Sequence, residues 1–140
     1  MGEVVESGAA LCPGTRVFYF GGNATHAKVA AEQVLAIPEG LSDERAVFLA
    51  ALTRALTAHR LAPMRIGEQV LVAGMSLSGN LCAQLYAQAG AGRVACADRH
   101  GSRLGKARAC GLIEAYDLNQ QPLAKWAEGL GRRGAELVVV

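Results

Sequence analysis

Six residues constrain this chain of 140 residues more than any others: Gly74-Met75-Ser76-Leu77-Ser78-Gly79. They follow Val70-Leu71-Val72-Ala73, a continuous apolar run that reads as a strand buried on both faces. They lead into a helical pattern starting near Asn80, with Leu81, Cys82, Leu85 and Ala89 on one stripe and a stop at Gly90. Arg93 to Asp98 reads as a second buried strand, and its last residue is an acid 19 positions after Gly79. A glycine turn from strand to helix, with an acid closing the next strand, is the dinucleotide fingerprint in the context it requires. Each position has a physical task there. Gly74 permits the tight turn, and Gly79 lets the helix lie close to the sheet. The free N–H groups at the start of the helix, with its dipole, suit a pyrophosphate. Asp98 is placed to accept from the adenosine ribose hydroxyls.

One position departs from the pattern. Ser76 stands where a glycine would let the backbone approach the phosphates. Its Cβ takes up some of that space while its hydroxyl offers a donor, so binding is expected to be weakened and not abolished. The competing reading is a sheet that uses the turn for packing alone. Asp98 would repel a 2′-phosphate, and Arg99 and Arg103 partly offset that repulsion. NAD is therefore favoured, with NADP as the alternative. The bland reading of Asp98 is a solvated loop residue, and that of the two arginines a solvated helix face.

The rest of the chain extends the pattern. Ser102 to Cys110 reads as a short basic helix and Ile113 to Tyr116 as a third strand. Leu123, Trp126, Ala127 and Leu130 mark a third amphipathic helix with Pro122 at its start, and Leu137 to Val140 a fourth strand. Alternating strands and helices with short links predict a parallel sheet with right-handed crossovers. Ahead of Val70 the character differs. Glu3 to Glu6, Arg16 to Phe20, His26 to Ala30 and Val34 to Ile37 read as short extended pieces, with a turn at Cys12-Pro13-Gly14. Pro38-Glu39-Gly40 breaks the chain. Ser42 then caps a long helix predicted from about Asp43 to Leu61, with Val47, Ala50, Ala51, Leu52, Ala55, Leu56 and His59 on its apolar side.

Composition narrows the class of function. Hydrophobic residues make up 51% of the chain, which rules out disorder. The net charge of +2 is scattered, and its densest spots (Arg132–Arg133, and Arg103 to Arg108) are short, which disfavours nucleic acid as a partner. Cys12, Cys82, Cys96 and Cys110 form no C-x-x-C pair, so a zinc knuckle is not expected. The longest apolar stretch, Ala46 to Leu52, is too short for a bilayer, and no secretory signal is seen. A soluble, reduced, cytoplasmic protein is expected. His26 reads as an exposed residue after a turn, His59 as a core or interface histidine and His100 as loop. Cys96 reads as a core filler, and Trp126 as packed on the sheet. Cys82 and Cys110 would need a lowered pKa to react. No Ser-His-Asp order and no useful pair of carboxylates is present, so no catalytic residue is named. A methyltransferase would carry an acid just before the first glycine, where Val72-Ala73 stand.

Taken in order, these residues resemble the medium-chain dehydrogenase/reductase superfamily of alcohol dehydrogenases and quinone-reductase-like proteins. Gly2 to Gly8 is similar to the family's G-x-V-x-x-x-G strand, and Pro13-Gly14-Thr15-Arg16-Val17 to its P-G-D-R-V turn. His26-Ala27-Lys28-Val29 with Ile37 to Ser42 resembles A-E-Y-V … I-P-D-G-L-S. Gly67-Glu68-Gln69-Val70-Leu71-Val72 resembles G-D-x-V-L-V, and Gln84-Leu85, Gly90-Ala91, Asp98-Arg99, Arg103-Leu104, Ala107 and Gly111 continue the likeness.

The resemblance implies an α/β chain: the end of a GroES-like β domain (1–41), a linking helix (42–62) and the first half of a Rossmann doubly wound parallel sheet (63–140). It implies hydride transfer between NAD(P)H and a carbonyl, alcohol or activated alkene. The family's late zinc ligand falls at Ala50, which cannot bind metal. Where its four-cysteine lobe follows the Val17 strand, only Gly21 to Thr25 lie here. No metal is therefore expected, as in the zinc-free quinone-reductase-like branch. Thr53 matches a position near the nicotinamide, although a helix threonine bonded to its own backbone would look the same. The cofactor set is Gly74, Met75, Ser76, Leu77, Ser78, Gly79, Asp98, Arg99 and Thr53. The alternative is a truncated, non-catalytic nucleotide-binding or interaction module. Its motive is the strand Leu137 to Val140, an apolar edge expected to form a homodimer or other edge-strand association.

Overall fold

The computed structural model describes residues 1–8, 11–128 and 134–140. It divides into two compact units, Met1–Ala50 and Ala51–Val140.

The first unit holds a three-stranded antiparallel sheet. Its strands are β1 (Gly2–Glu3), β2 (Arg16–Tyr19) and β3 (Val34–Ala36), with β2 in the centre. Pairing runs Gly2 to Val17 on one side and Val17 to Ala36 on the other. β2 is central because its aromatic and β-branched residues suit a covered strand, and neighbours Val17 and Phe18 are both buried. A short helix α1 (Asp43–Ala46) follows, with Ser42 at its N-cap. Arg16 ties this unit together. One guanidinium nitrogen donates to Asp43 at 2.7 Å and another to the carbonyls of Pro38 and Leu41, at 3.1 and 2.8 Å. The expected extended pieces come out shorter: Glu3 to Glu6 is strand only at Glu3, and Arg16 to Phe20 and Val34 to Ile37 each lose their last residue. His26 to Ala30 forms no strand, and a 3-10 turn at Ala31–Gln33 precedes β3.

The helix expected over Asp43 to Leu61 is split. It resumes as α2 (Leu49–Leu61) after a turn at Val47-Phe48, where the Phe48 N–H donates to the Arg45 carbonyl three residues back. The break shifts the helix phase. Ala51 and Ala55 are buried, Ala58 and His59 partly so, while Val47 and Leu56 face outward.

The second unit alternates as expected: β4 (Gln69–Ala73), α3 (Leu77–Gln88), β5 (Arg93–Asp98), α4 (Gly101–Ala109), β6 (Glu114–Asp117), α5 (Leu123–Glu128) and β7 (Leu137–Val139). The sheet order is β6-β5-β4-β7 and every pair is parallel. Side chains alternate between two cores, as the two-residue period of a strand requires. Val70, Val72 and Cys96 pack with Ala55, Cys82, Ala83, Tyr86, Leu104 and Ala107. Leu71, Ala95 and Ala97 pack with Trp126. Burying each such Val or Leu stabilises the fold by about 2 kcal/mol.

α3 begins at Leu77 and not near Asn80. Of the expected stripe Leu81, Cys82, Leu85 and Ala89, Cys82 is buried and Leu81 packs partly buried against the core; Asn80, Ala83 and Tyr86 complete the buried side, while Leu85 and Ala89 are only half-buried. The buried Tyr86 hydroxyl donates to the Ala62 carbonyl at 3.0 Å, and its ring meets His59 edge-on at 5.0 Å. The stripe position Leu130 and the basic pair Arg132–Arg133 lie outside the described residues. Among the described residues, no helix is long and apolar enough to cross a membrane.

Candidate functional site

The C-terminal end of β4 delivers the chain into the turn. Gly74 has φ +97°, a conformation L side chains rarely adopt, and nothing lies within 4 Å of where its Cβ would be. Gly79 answers a different need. A Cβ there would lie 1.9 Å from the Gly74 carbonyl oxygen, so α3 can sit this close to the strand end only with glycine. Ser76, extended at φ −61° and ψ 176°, is the N-cap of α3, and its hydroxyl accepts from the Gly79 N–H at 3.4 Å. This cap explains the early helix start, because it supplies a first-turn acceptor that glycine lacks. The N–H groups of Leu77 and Ser78 precede any carbonyl the helix offers them. Gly74, Ser76 and Leu77 are exposed, and the Met75 side chain is buried in the core.

Asp98 ends β5 beside this turn. It is 5% exposed, which overturns the solvated-loop reading. One carboxylate oxygen accepts from the Met75 N–H at 2.7 Å. The other accepts from the His100 N–H at 2.8 Å and faces the His100 Nδ1 at the same distance. Arg103 reaches the first oxygen at 3.5 Å. Burial works against the charge. The hydrogen bonds from His100, Met75 and Arg103 outweigh it and hold the carboxyl well below the usual carboxylate range.

The remaining candidates are placed less tightly. Arg99 is exposed, and its carbonyl accepts from the Asn119 side chain at 2.6 Å. Arg103 is not simply a solvated face, since it contacts Asp98. Thr53 is exposed on α2, and its carbonyl accepts from the Thr57 hydroxyl at 2.9 Å. His100, read as loop, is the N-cap residue of α4 and a partner of Asp98. The available signal was its spacing: an aspartate commonly accepts from the N–H two residues on.

The cysteines behave as packing residues or surface thiols. Cys96 is fully buried, and burial, with the nearby Glu114, pushes its thiol up to about 11. Burial also raises the Cys82 thiol, and Cys110 is exposed beyond α4. Among the described residues, no three His, Cys, Asp or Glu side chains come together to hold a metal. A groove of about 930 Å³ lies in the first unit along β1 and β2 and includes His26 and Lys28 in its lining.

Fold and turn define a doubly wound α/β domain that begins with a glycine turn and an acid-ended second strand, preceded by a small antiparallel sheet. No family model matches the chain. An L-threonine 3-dehydrogenase from Protochlamydia amoebophila is 32% identical over 101 residues, which is 72% of this chain and 29% of that enzyme. A probable oxidoreductase from Mycobacterium abscessus superposes with a TM-score of 0.83 at 27% identity, over 98% of this chain and 47% of that one. A short chain alcohol dehydrogenase from Escherichia coli CFT073, complexed with NADH, superposes with a TM-score of 0.71 at 28% identity, over 79% of this chain and 33% of that one. The chain belongs to the medium-chain dehydrogenase/reductase superfamily, as the end of a GroES-like sheet followed by the first half of a Rossmann sheet. The matched stretch spans under a third of the threonine dehydrogenase.

Proposed function

We propose that this chain holds the ADP half of a nicotinamide dinucleotide at Gly74 to Gly79, and serves a protein that transfers hydride between that cofactor and a carbonyl, alcohol or activated alkene. The observation carrying this reading is the cradle itself: an open positive-φ glycine, a second glycine in contact with the strand end, and a helix tip with donors to spare. When bound, the cofactor supplies the hydride chemistry. The chain's own residues would bind and orient it. Leu77 and Ser78 would donate backbone N–H groups to the diphosphate, and the Ser76 hydroxyl would donate one more bond. Asp98 would accept from the ribose hydroxyls. Its charge favours NAD over NADP, and Arg99 and Thr53 belong to the same proposed set.

Zinc independence is part of the reading, because Ala50 offers no donor where relatives of this type bring a ligand. Residues 1–41, 42–62 and 63–140 would serve as catalytic-domain end, linking helix and cofactor domain. Calorimetry with NADH and NADPH tests the first step. Millimolar ligand without heat removes the proposal.

A second reading, an interaction module, draws on β7. Among the described residues it pairs only with β4, and Val138 on it is 52% exposed. That edge would associate with another copy of the chain. A monodisperse monomer by light scattering argues against it.

A further inference from the structure

An ionised carboxylate only accepts hydrogen bonds, at about four lone-pair positions on its two oxygens. At Asp98 all four are already taken by this chain. One oxygen receives Met75 N–H and Arg103 Nη1, the other His100 N–H and His100 Nδ1. Because the carboxylate has no proton to give, Nδ1 must carry the hydrogen in that last contact.

The four donors are of two kinds. Met75 and His100 N–H are backbone groups fixed by the turn and by the start of α4. The His100 ring and the Arg103 guanidinium are side chains, 63% and 47% exposed, reaching in over an acid whose own side chain is 4% exposed. The Arg103 contact is long at 3.5 Å, and the His100 contact is short at 2.8 Å. A ribose diol offers two hydroxyl donors. It can satisfy Asp98 only where side-chain donors leave, since the backbone donors cannot.

We infer that the His100 ring is a displaceable latch on Asp98, which must swing out before an adenosine ribose can dock. This rests on the proposed nucleotide reading and names what competes for its acid. His100 is thus a positioning residue. It keeps the buried carboxylate saturated in the free chain and lowers the affinity for any ligand bound through a ribose diol. Arg103, more weakly held, leaves with less loss.

The test is calorimetric titration of the wild-type chain and His100→Ala with ADP, with 2′,3′-dideoxyadenosine 5′-diphosphate, and with NADH and NADPH. The latch predicts that His100→Ala binds ADP and NADH at least threefold more tightly than wild type. It also predicts that this gain vanishes with the dideoxy ligand, an outcome that a merely structural role would not produce. Unchanged or weaker ADP binding in the variant overturns the latch while wild-type binding upholds the nucleotide reading. A gain that persists without the ribose hydroxyls overturns it too. So does NADPH bound more tightly than NADH by wild type and less tightly by the variant, because the ring would then be serving a 2′-phosphate. No heat with either protein and any ligand overturns both readings. Should His100→Ala fail to fold, nitrogen NMR of the wild-type ring decides. Saturating ADP is expected to move the His100 Nδ1 resonance, and an unmoved resonance overturns the latch.

Discussion

The two units reach order by different means. The second buries apolar side chains on both faces of a parallel sheet, with Val70, Leu71, Val72, Ala95, Cys96 and Ala97 almost wholly out of water. The first buries only Val17, Phe18 and Ala46 among its described residues, and relies on Arg16 bridging Asp43, Pro38 and Leu41. A core of the first kind is insensitive to surface charge and intolerant of volume changes. A polar tie of the second kind is sensitive to a single cation and forgiving elsewhere. The proposed nucleotide turn grows from the unit with the larger buried core, where a strand end and a helix start are held within contact distance.

Substitutions sharpen the contrast. Tyr86→Ala removes a fully buried ring and its bond to the Ala62 carbonyl, and is expected to cost about 4 kcal/mol in urea unfolding followed by a probe in the second unit. Phe18→Ala should cost about 3 kcal/mol, read as faster hydrogen exchange in β2 with β4 unaffected. Equal exchange in both strands would merge the two units energetically. Gly79→Ala forces its Cβ against the Gly74 carbonyl. A loss of about 3 kcal/mol is expected together with loss of nucleotide binding, and wild-type stability in this variant would show that the close approach is not required.

Smaller effects test the polar contacts. Arg16→Ala should cost about 1 kcal/mol and act on the first unit alone, since the pair it makes with Asp43 is well exposed. Arg93 binds Glu114 with two nitrogens, at 2.9 and 2.7 Å, and joins β5 to β6. It is exposed enough that Arg93→Met should cost about 0.5 kcal/mol.

Acid gives a further contrast. The Asp98 carboxyl is held below its unfolded value, so its contribution is present above about pH 4, the ordinary carboxylate range, and is lost as pH falls through the lower folded value. The wild-type chain should therefore lose stability on acidification below that range, measured by urea midpoints. Asp98→Asn should flatten that part of the profile, and an unchanged acid limb in the variant would place the effect elsewhere.

Much of this was legible residue by residue. Val70 to Ala73 and Val94 to Ala97 are apolar runs between glycines, so their place as central strands follows from the need to bury them. Gly74 and Gly79 sit where the turn requires glycine. The helix break at Val47-Phe48 was not legible, because both residues fit a continuous apolar pattern. Ser76 was read for its bulk and its hydroxyl, and its service as the N-cap that starts α3 early was missed. Local sequence does not say which first-turn donor a side chain will meet.

By itself, then, the sequence determined the order of elements, the parallel sheet and the location of the turn, since periodicity and glycine placement are local properties of the chain. Only the tertiary structure decided which face of α2 and α3 is buried, and that Asp98 is enclosed and fully engaged by Met75, His100 and Arg103. Those outcomes depend on which groups meet across the fold. A buried carboxylate collects whatever donors the packed neighbours bring within about 3 Å, and no spacing along the chain records that distance.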